Sequence, residues 1–153
     1  MVCILEDSKA HYAFRPPVNW DVRYDEQART VTMAPKKDGK SWITLRLAPS
    51  TNSPNAGVHT YVRAAYPNGE FAEQFTLNTS SQEAQVADFT DASAGPLPLK
   101  RRVALVGSQS GTFEILLSSR ADDFSNGEQI FSQLLGSFEH RGPPQPREKA
   151  PSR

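Results

Sequence analysis

Nucleophilic catalysis needs a nucleophile, a base within hydrogen-bond reach and a group that orients the base. The candidates for that work are three histidines, His11, His59 and His140, and one cysteine, Cys3. His11 begins a strand pattern, His59 lies near the start of a helical one, and His140 borders a proline-rich tail; none has a nucleophile motif beside it, so surface positions account for all three. They lack the i, i+4 spacing that places two ligands on one helix face, and Cys3 is isolated, which argues against zinc. The run Gly107-Ser-Gln-Ser-Gly111 carries Gln109 where an esterase elbow needs serine, and it links two strands rather than a strand and a helix. The same glycines form neither a P-loop nor a dinucleotide fingerprint. Asp122-Asp123 has the composition of an acid–base pair or a cation site, but no third ligand is in sequence reach, and carboxylates at a helix start serve as caps. These readings leave no catalytic set, no metal site and no cofactor motif, so the expectation is a protein that is not an enzyme.

Lys100-Arg101-Arg102 is the one basic cluster. On a strand, Lys100 and Arg102 share a face and Arg101 points the other way. Two readings stand: a solvated strand start, or a patch for an anion or an acidic partner, weakened because three charges steer little at physiological salt. Asn78-Thr79-Ser80 has the pattern of a glycosylation sequon, relevant only in a eukaryotic secretory route.

Composition narrows the partner class. Seventeen Lys and Arg cancel seventeen Asp and Glu over 153 residues, so the chain has no global field to gather nucleic acid or anionic lipid. With one cysteine no intrachain disulfide forms, and the redox compartment stays open. Met1 to Asp7 has neither the basic nor the apolar region of a secretory signal, and no stretch approaches the ~20 apolar residues of a membrane span. The default expectation is cytoplasmic; a cell-envelope or periplasmic location follows instead if a lipoprotein signal was trimmed before Cys3.

The elements that would position any site follow from periodicity. Tyr12 and Phe14 alternate with Ala13 and Arg15 up to Pro16-Pro17. Trp20, Val22 and Tyr24 share one face of a second strand; Thr30 to Ala34 is a third, with Val31 and Met33 inward. Asp38-Gly39 marks a turn, and Ser41 to Ala48 returns with Ile43, Leu45 and Leu47 inward. Ser53 reads as a cap and Pro54 as the first turn of a helix whose Val58, Tyr61, Val62 and Ala65 fall on one stripe. Pro67-Asn68-Gly69 ends it. Phe71 and Phe75, one helical turn apart, make Glu70 to Phe75 a second short helical piece, and Gln82 to Thr90 reads as an outer strand. Leu99 to Val106 and Thr112 to Ser118 are strands around a glycine turn, the latter central because Leu116 is apolar on the face opposite Phe113, Ile115 and Leu117. Ile130, Phe131, Leu134, Leu135 and Phe138 form the stripe of a last helix, with Gly136 as a shortening signal.

This order predicts an α+β fold, a mostly antiparallel sheet of about six strands with helices packed on it. Residues 10–140 form the single domain, after an N-terminal lead segment 1–9. Residues 141–153 read as a disordered proline-rich tail, with a net charge of +3 that leaves −3 on the rest. Pro143 and Pro146 have the PxxP spacing that polyproline-binding domains dock, though any proline-rich tail contains such spacings.

Three segments resemble the PsbP-like α/β/α sandwich family. Phe14-Arg-Pro-Pro-Val-Asn-Trp20 is similar to the family's aromatic, proline and tryptophan opening. A strand, turn and strand stand near the C-terminus. Phe113-Glu-Ile-Leu-Leu-Ser-Ser-Arg-Ala-Asp-Asp-Phe124 precedes a helix closing in Leu134-Leu-Gly-Ser-Phe138, like the family's terminal helix and Ser-Phe. The likeness spans about residues 10 to 139, and its middle, Glu70 to Pro98, matches nothing. The family includes an extrinsic photosystem II subunit, a Ran-binding import factor, bacterial DcrB-like lipoproteins and effector chaperones. The resemblance implies binding without shared catalytic residues, with another protein as the expected partner. It leaves as alternative a carrier for a small apolar ligand or hydrophobic peptide, held between the sheet and the Ser53–Tyr66 helix and lined by Trp20, Trp42, Tyr61 and Tyr66. The binding residues expected are Lys100, Arg101, Arg102, Trp42, Tyr61 and Tyr66.

Overall fold

The computed structural model describes residues 5–7, 12–37, 39–92, 96–108 and 111–140. Asp38, Gln109, His11 and the 141–153 tail, on which a turn, a glycine loop, a surface histidine and a disordered segment were expected, lie outside the described residues.

Seven strands form one antiparallel sheet in the order β3-β4-β5-β9-β8-β7-β6: β3 (Trp20–Asp25), β4 (Thr30–Pro35), β5 (Ser41–Leu47), β6 (Gly69–Asn78), β7 (Glu83–Asp91), β8 (Leu99–Ser108) and β9 (Gly111–Arg120). A second, three-stranded sheet joins β1 (Leu5–Asp7), β2 (Tyr12–Phe14) and β10 (Glu139–His140), with β2 in the middle. Helices α1 (Val58–Ala65) and α2 (Phe124–Ser137) cover opposite faces of the large sheet. The sequence at β9 explains why it is central. Thr112 to Ser119 is buried throughout; Phe113, Ile115 and Leu117 meet the α2 side while Leu116 meets the α1 side, and only a strand covered on both faces tolerates that pattern.

The α2 side holds the larger core. Phe131, Leu134, Leu135 and Phe138 join Met33, Ile43, Leu45, Val86, Val106 and the apolar residues of β9. Each such side chain contributes about 2 kcal/mol by leaving water. Tyr12 locks the small sheet onto this core, its ring edge-on to Phe113 at 5.4 Å and stacked on Phe138 at 5.9 Å. Gly136 does not shorten α2, which runs to Ser137. Gly127 matters more: a Cβ there would stand 3.2 Å from Leu117 Cδ1 and 3.3 Å from Ser41 Oγ, so its absence lets the helix approach the sheet.

Several sequence expectations are corrected. Ser53 does not cap α1. It sits at φ 54° between two 3-10 turns, Ser50–Asn52 and Pro54–Ala56. The helix starts after Gly57, whose φ of 112° favours glycine, and Gln85 Oε1 accepts the Val58 N–H at 3.1 Å. Glu70 to Phe75 is not helical but belongs to β6. A bulge between Phe71 and Glu73 shifts the register, so Phe71 packs on the α1 side and Phe75 and Leu77 on the α2 side; the i, i+4 aromatic spacing came from that extra residue. The strand expected at Gln82 to Thr90 is not outermost, because β6 pairs outside β7. Asp123 stands at the α2 N-cap position without a side-chain cap bond. A 3-10 turn over Ala121–Asp123 already makes the entry, and the Asp123 carboxylate turns back to accept Ser41 Oγ–H at 2.7 Å.

Candidate functional site

The expected binding residues separate onto the two faces of the sheet. On the α2 side, Arg102 is consumed by structure. Its guanidinium donates to both oxygens of Asp88, at 2.7 and 2.9 Å, and lies 3.1 Å from Glu128 of α2. It also stands over the rings of Phe75 and Phe124, at 4.8 and 5.4 Å from their centroids. Burial alone would lower its pKa, and the Asp88 hydrogen bond and charge outweigh that and raise it. Arg102 is therefore a clamp tying β8, β7 and α2 together. Lys100 is exposed, its Nζ 5.4 Å from the Phe124 centroid. An open depression of about 410 Å³ beside this clamp is lined by Arg102, Glu128, Gln129, Ser132 and Gln133.

Arg101 faces the α1 side, where Tyr61, Tyr66 and Trp42 also stand. Tyr61 is buried beneath α1 with Val58 and Val62, against Ala87, Phe89, Val103, Leu105 and Leu116. Side chains thus fill the space between helix and sheet where the apolar-ligand groove was expected. Trp20, assigned to that groove, packs against the α2-side core instead, because Trp20 and Val22 share the face of Met33 and Val31 across β4.

Two residues that the sequence reading passed over organise this side. Glu114 is 1% exposed, in the middle of β9. Its carboxylate accepts hydrogen bonds from the Tyr61 hydroxyl, the Tyr66 hydroxyl at 2.8 Å, and Arg46 of β5 through Nε at 2.9 Å. Arg46 and Glu114 are direct cross-strand partners. Burial raises the Tyr61 and Tyr66 phenol pKa values, and the Glu114 charge raises them further. For Arg46, burial lowers the pKa and the Glu114 hydrogen bond and charge more than offset it, so the net direction is up. The signal was present in Phe113-Glu-Ile-Leu-Leu, where a lone acid inside an apolar strand needs partners if buried.

Along the next row of this face, register aligns five strands: Phe71, Phe89, Arg101, Ser118 and Trp42. Tyr66 stacks on Phe89 at 5.1 Å, and the Arg101 guanidinium carbon lies 5.7 Å from the Tyr66 centroid. Arg101 Nη2 is 3.6 Å from Asp91 Oδ2, beyond a good hydrogen bond. Helix α1 packs on β6 and β7; Thr32, Trp42, Thr44 and Arg46, on the β4–β5 half of the same face, are partly exposed. Thus Tyr66 and Arg101 meet on the α1 face, with Trp42 in the same row on the far side of Ser118, whereas Lys100 and Arg102 lie across the sheet from them. His59 is exposed on α1, its ring 4.3 Å from that of Phe71.

No family model and no curated protein matches the sequence. Among solved structures, cyanobacterial PsbP (CyanoP) of Synechocystis superposes with a TM-score of 0.59 at 14% identity, covering 91% of this chain and 92% of that one. The chain has the PsbP-like fold. The Saccharomyces cerevisiae Ran-binding protein Mog1p shares it, with a TM-score of 0.55 at 12% identity over 92% of this chain and 95% of its own. A Bacteroides thetaiotaomicron protein matches 97% of this chain with a TM-score of 0.62 at 10% identity, and the chain spans half of that protein's length. At such identities the likeness establishes the PsbP-like fold and leaves function to the side chains.

Proposed function

We propose that this protein is a non-catalytic binding module that engages another polypeptide on the open half of the sheet face beside α1. The observation that carries this reading is the position of Trp42, half-buried on β5 in the same cross-strand row as Ser118 and Arg101, the latter beside the Tyr66 ring. Tryptophan, tyrosine and arginine are the side chains that dominate binding energy when a partner covers them. Glu114, the carboxylate most enclosed in this region, is engaged by three donors, an arrangement that fixes the surface rather than one that leaves a base available. The name of Mog1p as a Ran-binding protein supports a binding role for the fold and does not choose a partner for this chain.

The test is affinity capture from the source cell's extract with the full chain and with Trp42→Ala, both shown to be folded by equal urea midpoints. A polypeptide recovered by the wild type and lost from Trp42→Ala is the expected result. Equal recovery by both proteins, or a small apolar molecule found by native mass spectrometry in place of a polypeptide, contradicts the proposal.

A further inference from the structure

The seven-stranded sheet ends in β3 on one side and β6 on the other, and the two edges differ in how they would meet a further strand. β6 is kinked by the bulge between Phe71 and Glu73, and its charged residues, Glu70 and Glu73, are both acids, so two such edges neither align nor attract. β3 runs through its partners on β4 from Trp20↔Pro35 to Asp25↔Thr30 without a register shift. Its sequence, Trp20-Asp-Val-Arg-Tyr-Asp25, places Trp20, Val22 and Tyr24 on the α2 face and Asp21, Arg23 and Asp25 on the α1 face. Tyr24 is 48% exposed.

One hydrogen bond shows which main-chain groups of β3 point outward. The Lys36 N–H donates to the Asn19 carbonyl at 3.2 Å, so Asn19 and Lys36 form a hydrogen-bonded pair. Alternation along an antiparallel ladder then turns the main-chain groups of Asp21, Arg23 and Asp25 toward β4 and those of Trp20, Val22 and Tyr24 away from it. Pro35, which has no N–H, stands opposite Trp20 and fits that alternation. Among the described residues, β3 pairs with β4 alone.

The charges choose both the occupant and its register. Within the sheet Asp21 and Arg23 stand opposite Ala34 and Thr32, both uncharged. A second β3 joining antiparallel must set outward-pointing residues against outward-pointing ones. With Val22 opposite Val22, Asp21 meets Arg23 of the second copy and Arg23 meets its Asp21, while Trp20 and Tyr24 meet on the other face and Asp25 falls opposite Asn19. Moving the two-fold axis to Asp21 sets Asp21 against Asp21. Moving it to Arg23 sets Arg23 against Arg23 and Asp21 against Asp25. Only the Val22 register pairs opposite charges directly and brings aromatic side chains together. The flanking charges, Glu26 and Arg29 in the turn to β4 and Lys36 and Lys37 beyond β4, are of both signs, so they do not select a partner strand of one sign.

We propose that the chain self-associates through β3, antiparallel about a two-fold axis at Val22, joining two seven-stranded sheets into one. The two Val22 residues exchange main-chain hydrogen bonds, and the isologous contact uses up the β3 edge of each copy, so association stops at a dimer. The inference does not rest on the binding reading. β4 lies between β3 and the β5 strand that carries Trp42, and pairing in the plane of the sheet leaves the face beside α1 open.

The test is sedimentation of the full chain at rising concentration, beside Asp21→Arg, Arg23→Asp and the double variant. Both positions are exposed, and equal urea midpoints establish that the variants fold. The wild type is expected to form dimer by about 1 mM. Each single reversal puts like charges opposite one another twice and is expected to weaken the dimer about tenfold. The double variant restores the pairing with signs exchanged and should regain wild-type affinity, and an equimolar mixture of the two single variants should form a heterodimer. A wild type that stays monomeric, a dimer indifferent to both single reversals, or a double variant no better than the singles overturns the proposal. So does an Asp21→Arg that alters capture of a foreign polypeptide without altering sedimentation of the pure chain, since the edge then takes another protein's strand.

Discussion

The two faces of the large sheet solve the same packing problem with different completeness. The α2 face is finished: a stripe of helix side chains, the small sheet and an aromatic contact between Phe113 and Phe138 close it. Its buried cation, Arg102, has Asp88, Glu128 and two rings. The α1 face is unfinished: a helix of eight residues covers one half, Trp42 and Thr44 stay partly exposed, and the two buried side-chain atoms that lack a hydrogen-bond partner among the described residues, Arg101 Nε and Ser118 Oγ, lie there. The chain satisfies buried Arg102 fully and leaves half-buried Arg101, the residue before it, short of partners, so the two faces differ in how completely their polar groups are paired.

The largest effect that sharpens this contrast belongs to the finished face. Phe131→Ala, at a fully buried position, is expected to cost about 4 kcal/mol in urea denaturation. A cost below that of any α1-side substitution would break the comparison. Next comes Glu114→Gln. It removes the charge that Arg46 and the two tyrosines surround and is expected to cost about 3 kcal/mol; a neutral outcome would mean that the cluster does not fix the α1 face.

A smaller effect is set by pH. The raised pKa values of Tyr61 and Tyr66 mean that the folded state holds these phenols neutral past the ordinary value of about 10. Their contribution is fully present below that value and is lost as pH climbs above it, because the unfolded chain releases the protons first. Urea midpoints should therefore fall above about pH 10, and Tyr66→Phe should make the fall shallower. A decline equally steep in Tyr66→Phe would remove Tyr66 from the account.

Much of the α2 face was legible in the sequence, because apolar periodicity at Val31, Met33, Ile43, Leu45, Phe113, Ile115 and Leu117 reports burial directly. The central position of β9 was readable from Leu116. What escaped was set by backbone irregularity and by pairing. The bulge at Phe71 imitates helical spacing, and Ser53 has the residue type of a cap but the backbone of a link between turns. The alternation of Lys100, Arg101 and Arg102 was correct, yet only strand order shows that Arg102 meets Asp88 while Arg101 meets Tyr66. Arg46, Glu114 and Ser118 were invisible as a group because they lie on β5 and β9, far apart in the chain and adjacent only once the register is known.

The most direct test of an unfinished α1 face is equilibrium urea denaturation of Ser118→Ala beside the wild type. Removing a buried hydroxyl that lacks a partner should raise stability by about 1 kcal/mol with an unchanged dependence on urea. A lower midpoint would show that the hydroxyl is satisfied in the folded state, and the contrast between the two faces would not hold.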